Sequence, residues 1–427
     1  MISPLNRLVV ETSPIDPVEE LLPFADAASP LCWIRRAEGI AGYGETLRLE
    51  EPGGEDTPDE PRNARITRLA DAWREVAARA EVTDRVGVPG SGLVAFGAFS
   101  FTAASAASSA LIVPRVVVGR RGGRGWITTV RADDEAPTEP SPRRLGPYWP
   151  GAVGPGRMTH EGYQSAVRDA VAAIGVGEVG KVVLARDLVG EVPRDADLRR
   201  LVRALATDYP DCWTFAVDGL IGASPETLVT VHDGTVTARV LAGTRARGAD
   251  ADADNVASLE LATSAKDLDE HRYAAHSVLT SLRPHTSALA SSEQPFTLKL
   301  PNVWHLATDI EGTLDDGASS LDLVAALHPT AAVAGTPTEA ALAVIRRLEP
   351  FDRGRYAGPV GWVDQSGNGE WAIALRCAQF GLEGLDVQDD GIPVVAHAGA
   401  GIVAGSDPEA ELLETRVKFR PIVDALA

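Results

Sequence analysis

Two segments in the C-terminal half carry carboxylates spaced three residues apart. One is Lys266-Asp267-Leu268-Asp269-Glu270-His271, the other Asp407-Pro408-Glu409-Ala410-Glu411-Leu412-Leu413-Glu414, with Lys418 beyond it. If both are helical, Asp267 and Glu270 share one face, as do Glu411 and Glu414. Two such faces brought together would offer hard oxygen ligands suited to Mg²⁺, with room left for water and an anionic substrate. Taken singly, each pair also reads as a solvated helix face. Arg272 or Lys266 can neutralise the first, and acids near a helix N-terminus are favoured by the macrodipole in the second. The setting of the second pair points towards chemistry. It follows the run AHAGAGIVAG (396–405), whose small residues let backbone N–H groups approach a ligand closely. Lys418 then lies one helical turn past Glu414.

Other candidates stand alone. Lys181 opens the apolar run KVVLARDL (181–188), and alternation puts it on the face of Val183 and Ala185. It is either an edge lysine reaching solvent or a buried amine with a depressed pKa, able to act as a general base. Glu226 sits in GASPET (222–227), a tight turn entering a strand. It is a surface acid, or, in a partly buried cleft, one whose raised pKa suits it to protonate a leaving hydroxyl. Leu241-Ala242-Gly243-Thr244-Arg245 offers N–H groups and a hydroxyl at a strand end. Arg376, in the apolar strand WAIALRCA (371–378), needs a partner if buried, either a structural carboxylate or a ligand's. His305, in PNVWHL (301–306), reads as a core histidine, because no second histidine has metal-ligand spacing. His328-Pro329-Thr330-Ala331-Ala332 reads first as a turn.

The elements that must position these residues are legible in outline. Polar, Pro- and Gly-rich runs over 51–62 and 132–147 read as loops, with strands expected between them at 93–101, 109–118 and 126–131. Residues 1–150 thus read as a β-rich part of the same fold, and 151–427 as the catalytic region. Thr159 is a candidate N-cap for a helix to about 174. Further helices are expected over about 196–207, 257–282 and 408–425, the last capped by Asp407 with Pro408 at its first position. A flexible acidic stretch, 249–254, is expected before the second of these. Strands are expected at 181–188, 213–217, 227–232 and 235–241, with Asp233-Gly234 as a hairpin turn. The class is α+β, a large antiparallel sheet core flanked by helices.

Composition narrows the function. The 427 residues are 44% hydrophobic, and 40 basic against 60 acidic side chains give a net charge of −20. Nucleic acid is excluded as a partner, since phosphate binding needs a basic footprint. The three cysteines, Cys32, Cys212 and Cys377, are far apart, which argues against a disulfide framework and fits a reducing cytoplasm. The first residues show no basic region followed by an apolar core, and no uncharged run is long enough to span a bilayer.

In order along the chain, KVVLAR, GASPE, LAGTR, SAKDLDEH, VWHLATDIEG, LHPTAAVAGTP, GPVGWVD, ALRCA, AGAGIVAGSDPEAELLET and RVK together resemble the chorismate-utilising enzymes, which include isochorismate, salicylate, anthranilate and aminodeoxychorismate synthases. The resemblance runs from Thr159 to the C-terminus. Less specifically, PLCWIR (30–35) looks like the N-terminal part of bacterial isochorismate synthases. In family members that use water as nucleophile, a lysine stands where Lys181 does. The nucleophilic lysine of the usual aminodeoxychorismate synthases, just before the Gly-Thr pair, is replaced here by Ala242. The resemblance therefore implies isochorismate synthase, feeding menaquinone or catecholate-siderophore synthesis, with salicylate synthase as the alternative and a non-catalytic metabolite-binding homologue as a third reading.

For the water-adding branch it further implies Lys181 as base towards water attacking C2 of chorismate, and Glu226 as acid towards the C4 hydroxyl. It implies Mg²⁺ held by Glu270 and Glu414 with Asp267 and Glu411 in support. Substrate contacts are implied for Gly243, Thr244, His305, Arg376, Gly399, Ala400, Gly401 and Lys418, with Arg376 on the enolpyruvyl carboxylate. A monomer without an amidotransferase subunit is expected. Two departures from the family pattern, Thr336 after Gly335 and Ala331-Ala332 after His-Pro-Thr, fall in segments expected to line the pocket. They leave open how well isochorismate is retained for pyruvate elimination.

Overall fold

The computed structural model describes residues 7–54, 61–133, 135–136, 138–139, 141–301, 303–381 and 391–427. The N-terminal six residues read for a leader, parts of the two expected loops, and Asn302 lie outside these. Eight helices occur among the described residues: α1 (Ala64–Arg79), α2 (His160–Gly175), α3 (Arg199–Asp208), α4 (Ala251–Thr263), α5 (Ala265–Leu282), α6 (Ser320–Leu327), α7 (Thr338–Leu348) and α8 (Pro408–Leu426). None of the described helices is long and apolar enough to cross a membrane.

Two large sheets, of 13 and 10 strands, make the centre. Among the described pairings only Leu8–Ile15 with Glu81–Asp84 is parallel. The expected α+β class, antiparallel sheets with helices around them, is what the chain forms. Strand Leu31–Arg35 lies beside Trp213–Val217 in the larger sheet, and Val94–Ala98 beside Pro359–Asp364 in the smaller. Segments from the first 150 residues thus enter both sheets. The larger apolar core lies between the sheets, around Trp33, Trp126, Trp362 and Trp371, and takes in apolar faces of α1, α2 and α5 to α7. The second core lies under α3 and α8.

Three apolar runs pass from one sheet to the other. The strand expected over 109–118 is two, Ser109–Val113 in the smaller sheet and Val116–Arg121 in the larger. Pro114, which has no N–H to continue a ladder, sits at the break. Leu220–Ser224 in the larger sheet is followed at once by Thr227–His232 in the smaller. The strand expected over 371–378 likewise divides into Gly369–Ile373 and Cys377–Phe380, again one in each sheet.

Side-chain caps fix five of the eight helix N-termini among the described residues. Thr159 caps α2, its hydroxyl accepting from Gly162 N at 3.0 Å, and Asp407 caps α8, accepting from Glu409 and Ala410 N. The single helix expected over 257–282 is instead α4 and α5. Ser264 separates them and caps the second, its hydroxyl accepting from Asp267 N at 3.3 Å. Asp250 caps α4 by accepting from Ala253 N, so the acidic stretch 249–254 is a helix start rather than a flexible lead. Helix α1, absent from the expectations, buries Ile66, Leu69, Ala70, Trp73 and Val76 at helical spacing.

One buried ion pair closes a gap in the larger sheet. Strand Lys181–Pro193 pairs with Gly391–Ile402 along its whole length after Lys181. On its other edge it meets Gly335–Thr336 at Lys181–Val182 and Ala152–Pro155 at 188–191, leaving the middle open. There Ala185 N donates to Glu349 Oε1 at 2.8 Å, and Arg353 Nη2 donates to Val183 O at 2.7 Å. Arg353 and Glu349 pair at 2.6 Å, with side chains 2% and 1% exposed, and the guanidinium stacks on Phe101 at 4.5 Å. Replacing Glu349 by Ala strands a buried guanidinium and a backbone N–H, which costs about 3–5 kcal/mol. Urea unfolding of Glu349→Ala should show a loss of that order; a loss below about 1 kcal/mol would contradict the keystone role.

Candidate active site

The pocket lies beside two of the crossings between sheets. At one, Pro225 and Glu226 follow strand Leu220–Ser224; at the other, Ala374 to Arg376 precede Cys377–Phe380. The two are tied together: Ser224 Oγ donates to Ile373 O at 2.6 Å, Ile373 N to Glu226 O at 3.1 Å, and Ala223 N to Arg376 O at 3.1 Å. Arg376 has φ +50°, a left-handed backbone that turns it out of strand alternation. The space enclosed is about 580 Å³, part of it continuous with solvent. Of the residues expected in a site, Glu226, Gly243, Thr244, Glu270 and His305 line it, together with Arg376, Gly399, Gly401 and Lys418.

Lys181 is wholly buried and not the solvent-reaching edge lysine that the sequence also allowed. Its Nζ lies 3.3 Å from Glu270 Oε1 and has no hydrogen-bond partner among the described residues. Register explains the fit. Val183 pairs with Gly401 and Ala185 with Gly399, so the glycines share the face of Lys181. A Cβ on Gly401 would fall 2.1 Å from Glu270 Oε1 and 3.1 Å from Lys181 Cε. Only glycine leaves room for the amine and the carboxylate together. The same alternation turns Ala400 to the opposite face, and it does not line the pocket.

Burial governs the charge states. Glu226 is 5% exposed, and burial raises its carboxyl pKa to about 8, against the pull of a Leu241 backbone hydrogen bond and of Lys181, Lys418 and Arg376. It is therefore protonated at neutral pH. Arg376 has no ion pair among the described residues, and the side-chain hydrogen bond found for it there runs from Nη2 to His305 Nε2 at 3.4 Å. Because guanidinium can only donate, Nε2 accepts, and the ring proton sits on Nδ1. Nδ1 then faces Gly243 O at 3.3 Å and Thr244 Oγ1 at 3.1 Å. Burial, with Arg376 and Lys418 nearby, holds the His305 pKa well below its usual value, so the ring is neutral. His305 is the satisfied core histidine expected, though it borders the pocket. Gly243, at φ +79°, forms the bulge between Ala242 and Thr244, and α5 packs over it with Asp267 Cβ 3.0 Å from where a Gly243 Cβ would be.

The four acids of the expected metal cage come from the first two turns of α5 and α8, but of these only Glu270 lines the pocket. Lys266 holds Glu411 at 2.6 Å and Lys418 holds Glu414 at 2.6 Å, while also donating to Gly399 O at 2.9 Å. Among the described residues no three His, Cys, Asp or Glu side chains converge on one point. The acids do influence one another. Burial and the neighbouring Glu414 raise the Glu411 pKa; burial, with Glu270 and Glu414 adding to it, raises that of Asp267. By donor chemistry, four partly buried hard carboxylates that repel one another suit a hard divalent cation, although as placed they do not converge on one point. Sequence reading passes over Tyr356, Arg353 and Leu375, which also line the pocket. They lie in connections between elements, where no periodicity marks a residue. Of the 331–336 segment, Ala332 and Val333 line it, and Ala331 and Thr336 do not.

The chain is similar to known proteins in sequence and in fold. Residues 152–427 match the family model described as chorismate binding enzyme. The chain is 41% identical over 278 residues to the isochorismate synthase DhbC of Bacillus subtilis (strain 168), covering 62% of this chain and 68% of that one. It is 36% identical over 269 residues to the isochorismate synthase EntC of Escherichia coli (strain K12), covering 61% and 66%. Its fold matches that of MenF, the menaquinone-specific isochorismate synthase from Escherichia coli, with a TM-score of 0.76 over 99% of this chain and 95% of that one, at 23% identity.

The Glu226 charge state is directly measurable. Infrared difference spectra should show a protonated-carboxyl stretch that disappears with a midpoint near pH 8 and is missing from Glu226→Gln. A Glu226 carboxyl already ionised at pH 6 would contradict the burial argument.

Proposed function

The chain belongs to the chorismate-binding enzyme family, and from that premise we propose that it is a magnesium-dependent isochorismate synthase. The reaction is the reversible conversion of chorismate to isochorismate by water attack at C2 and loss of the C4 hydroxyl. The observation that carries this reading is a pocket lined by a carboxyl protonated at neutral pH, Glu226, and by Glu270, behind which the buried amine of Lys181 lies 3.3 Å from Glu270 without itself lining the pocket. A hydroxyl exchange needs one base and one acid. Lys181, as the base, takes a proton from the water that attacks C2. Glu226 gives its proton to the departing C4 hydroxyl. In reverse the two exchange roles, which makes the near-symmetrical reaction reversible.

The remaining residues bind and orient. Arg376, buried and without a carboxylate partner among the described residues, receives the enolpyruvyl carboxylate as a bidentate pair. Neutral His305 holds the guanidinium in place without competing for the anion, and Thr244 steadies His305. Gly399 and Gly401 leave space for the ring, and Lys418 adds positive charge at its edge. Glu270 and Glu414, supported by Asp267 and Glu411, would hold Mg²⁺, which supplies the positive charge that anchors the ring carboxylate. Water replaces ammonia as nucleophile, so no amidotransferase subunit is needed. We place the enzyme in the cytoplasm as a monomer, supplying isochorismate for menaquinone or siderophore synthesis. The names of the relatives DhbC and EntC support isochorismate rather than salicylate as the product.

Lys181→Ala and Glu226→Gln should each lower kcat on chorismate by about a thousandfold or more while leaving circular dichroism and melting temperature close to wild type. Full activity in either would require another mechanism. Because Glu226 acts in its protonated form, kcat should fall as pH rises through about 8; a profile flat to pH 10 would remove Glu226 as the acid. Glu270→Ala or Glu414→Ala should abolish activity together with its Mg²⁺ dependence, and an unchanged Mg²⁺ titration would refute the cage.

A further inference from the structure

Three lysines are paired with the acids of the site, and only two have a place in the reaction above. Lys181 stands 3.3 Å from Glu270, Lys418 2.6 Å from Glu414, and Lys266 2.6 Å from Glu411. Lys266 does not line the pocket. It leaves the first turn of α5, next to Asp267, and crosses to the first turn of α8, where the Glu411 side chain is 2% exposed and its own is 34% exposed. The other two lysines are fixed: Lys181 is sealed in, and Lys418 is also tied to Gly399 O. Lys266 alone can swing into water without being torn from a second partner.

We propose that Lys266 occupies the cation's share of the acidic cluster, holding down the affinity for free Mg²⁺ so that the metal binds firmly only with the anionic substrate. This rests on the metal reading given above. With Asp267, Glu270, Glu411 and Glu414 ionised, Lys266 and Lys418 offset two of the four negative charges and so weaken the attraction for a divalent ion. A substrate carboxylate adds negative charge to the same place. Without Lys266, Glu411 is a buried acid beside Glu414 with no ammonium to balance it, and Mg²⁺ is the cation left to take that place. Lys266 touches neither substrate nor reacting atoms and acts through Glu411, so it is a positioning residue.

Calorimetric titration with Mg²⁺ alone, without chorismate, tests this. Lys266→Met should bind Mg²⁺ about fivefold more tightly than wild type or better, and Lys266→Arg should stay within about twofold. Lys266→Gln, which keeps a donor for Glu411 but no charge, carries the same expectation as Lys266→Met and serves if that variant does not fold. Mg²⁺ affinity in both neutral variants equal to or weaker than wild type would overturn the role of Lys266. A wild-type enzyme whose turnover of chorismate is indifferent to Mg²⁺ and to chelator would instead remove the metal site itself.

Discussion

A fully buried lysine amine 3.3 Å from a carboxylate, Lys181 against Glu270, is the contact around which the catalytic half is arranged. Taking an amine and a carboxylate out of water together is costly, and each must be delivered accurately to the other. Each neighbour reflects that demand. Gly401 carries no Cβ, because a Cβ would collide with Glu270 and crowd Lys181. Helix α5 starts sharply at Ser264, which aims Glu270 from its second turn, and it rests on the bulge at Gly243. The strand that carries Lys181 is kept in place where its own ladder is interrupted by Glu349 and Arg353.

The chain's passage between sheets does the rest of the positioning. A residue at a crossing escapes strand alternation, so its side chain can enter the gap between two layers. Glu226 and Arg376 both sit at such points, tied by backbone and Ser224 hydrogen bonds. The result is local charge opposed to the global charge. The molecule carries −20 overall, yet Lys418 and Arg376 stand beside a neutral Glu226 and a neutral His305. An anion is drawn to that pocket by local field against the sign of the whole surface.

Much of this is legible in sequence where a local signal exists. Thr159 and Asp407 cap helices as their side chains suggest, and Asp233-Gly234 turns as expected, with φ of +47° and +77°. The carboxylate pairs do lie on helix faces. What stays hidden is non-local. The run 371–378 is uniformly apolar and gives no hint that it changes sheet before Cys377, because burial on both sides of the crossing selects the same residues. The run through Ser264 likewise keeps helical composition across a break that one serine makes. The lysine partners of Glu270 and Glu411 are 89 and 145 positions away from them in sequence, and no spacing rule connects them. Tyr356 and Arg353 lie in a loop and go unmarked for the same reason.

In the proposed reaction, water enters at C2 under the control of Lys181 and Glu226 and the enolpyruvyl group stays attached. The most direct measurement is the initial-rate product formed from chorismate and Mg²⁺ in ¹⁸O-water, resolved by chromatography and mass spectrometry. Isochorismate carrying a single ¹⁸O at its C2 hydroxyl, with no pyruvate released, is the predicted result. Unlabelled isochorismate, or salicylate and pyruvate formed by the enzyme, would contradict it.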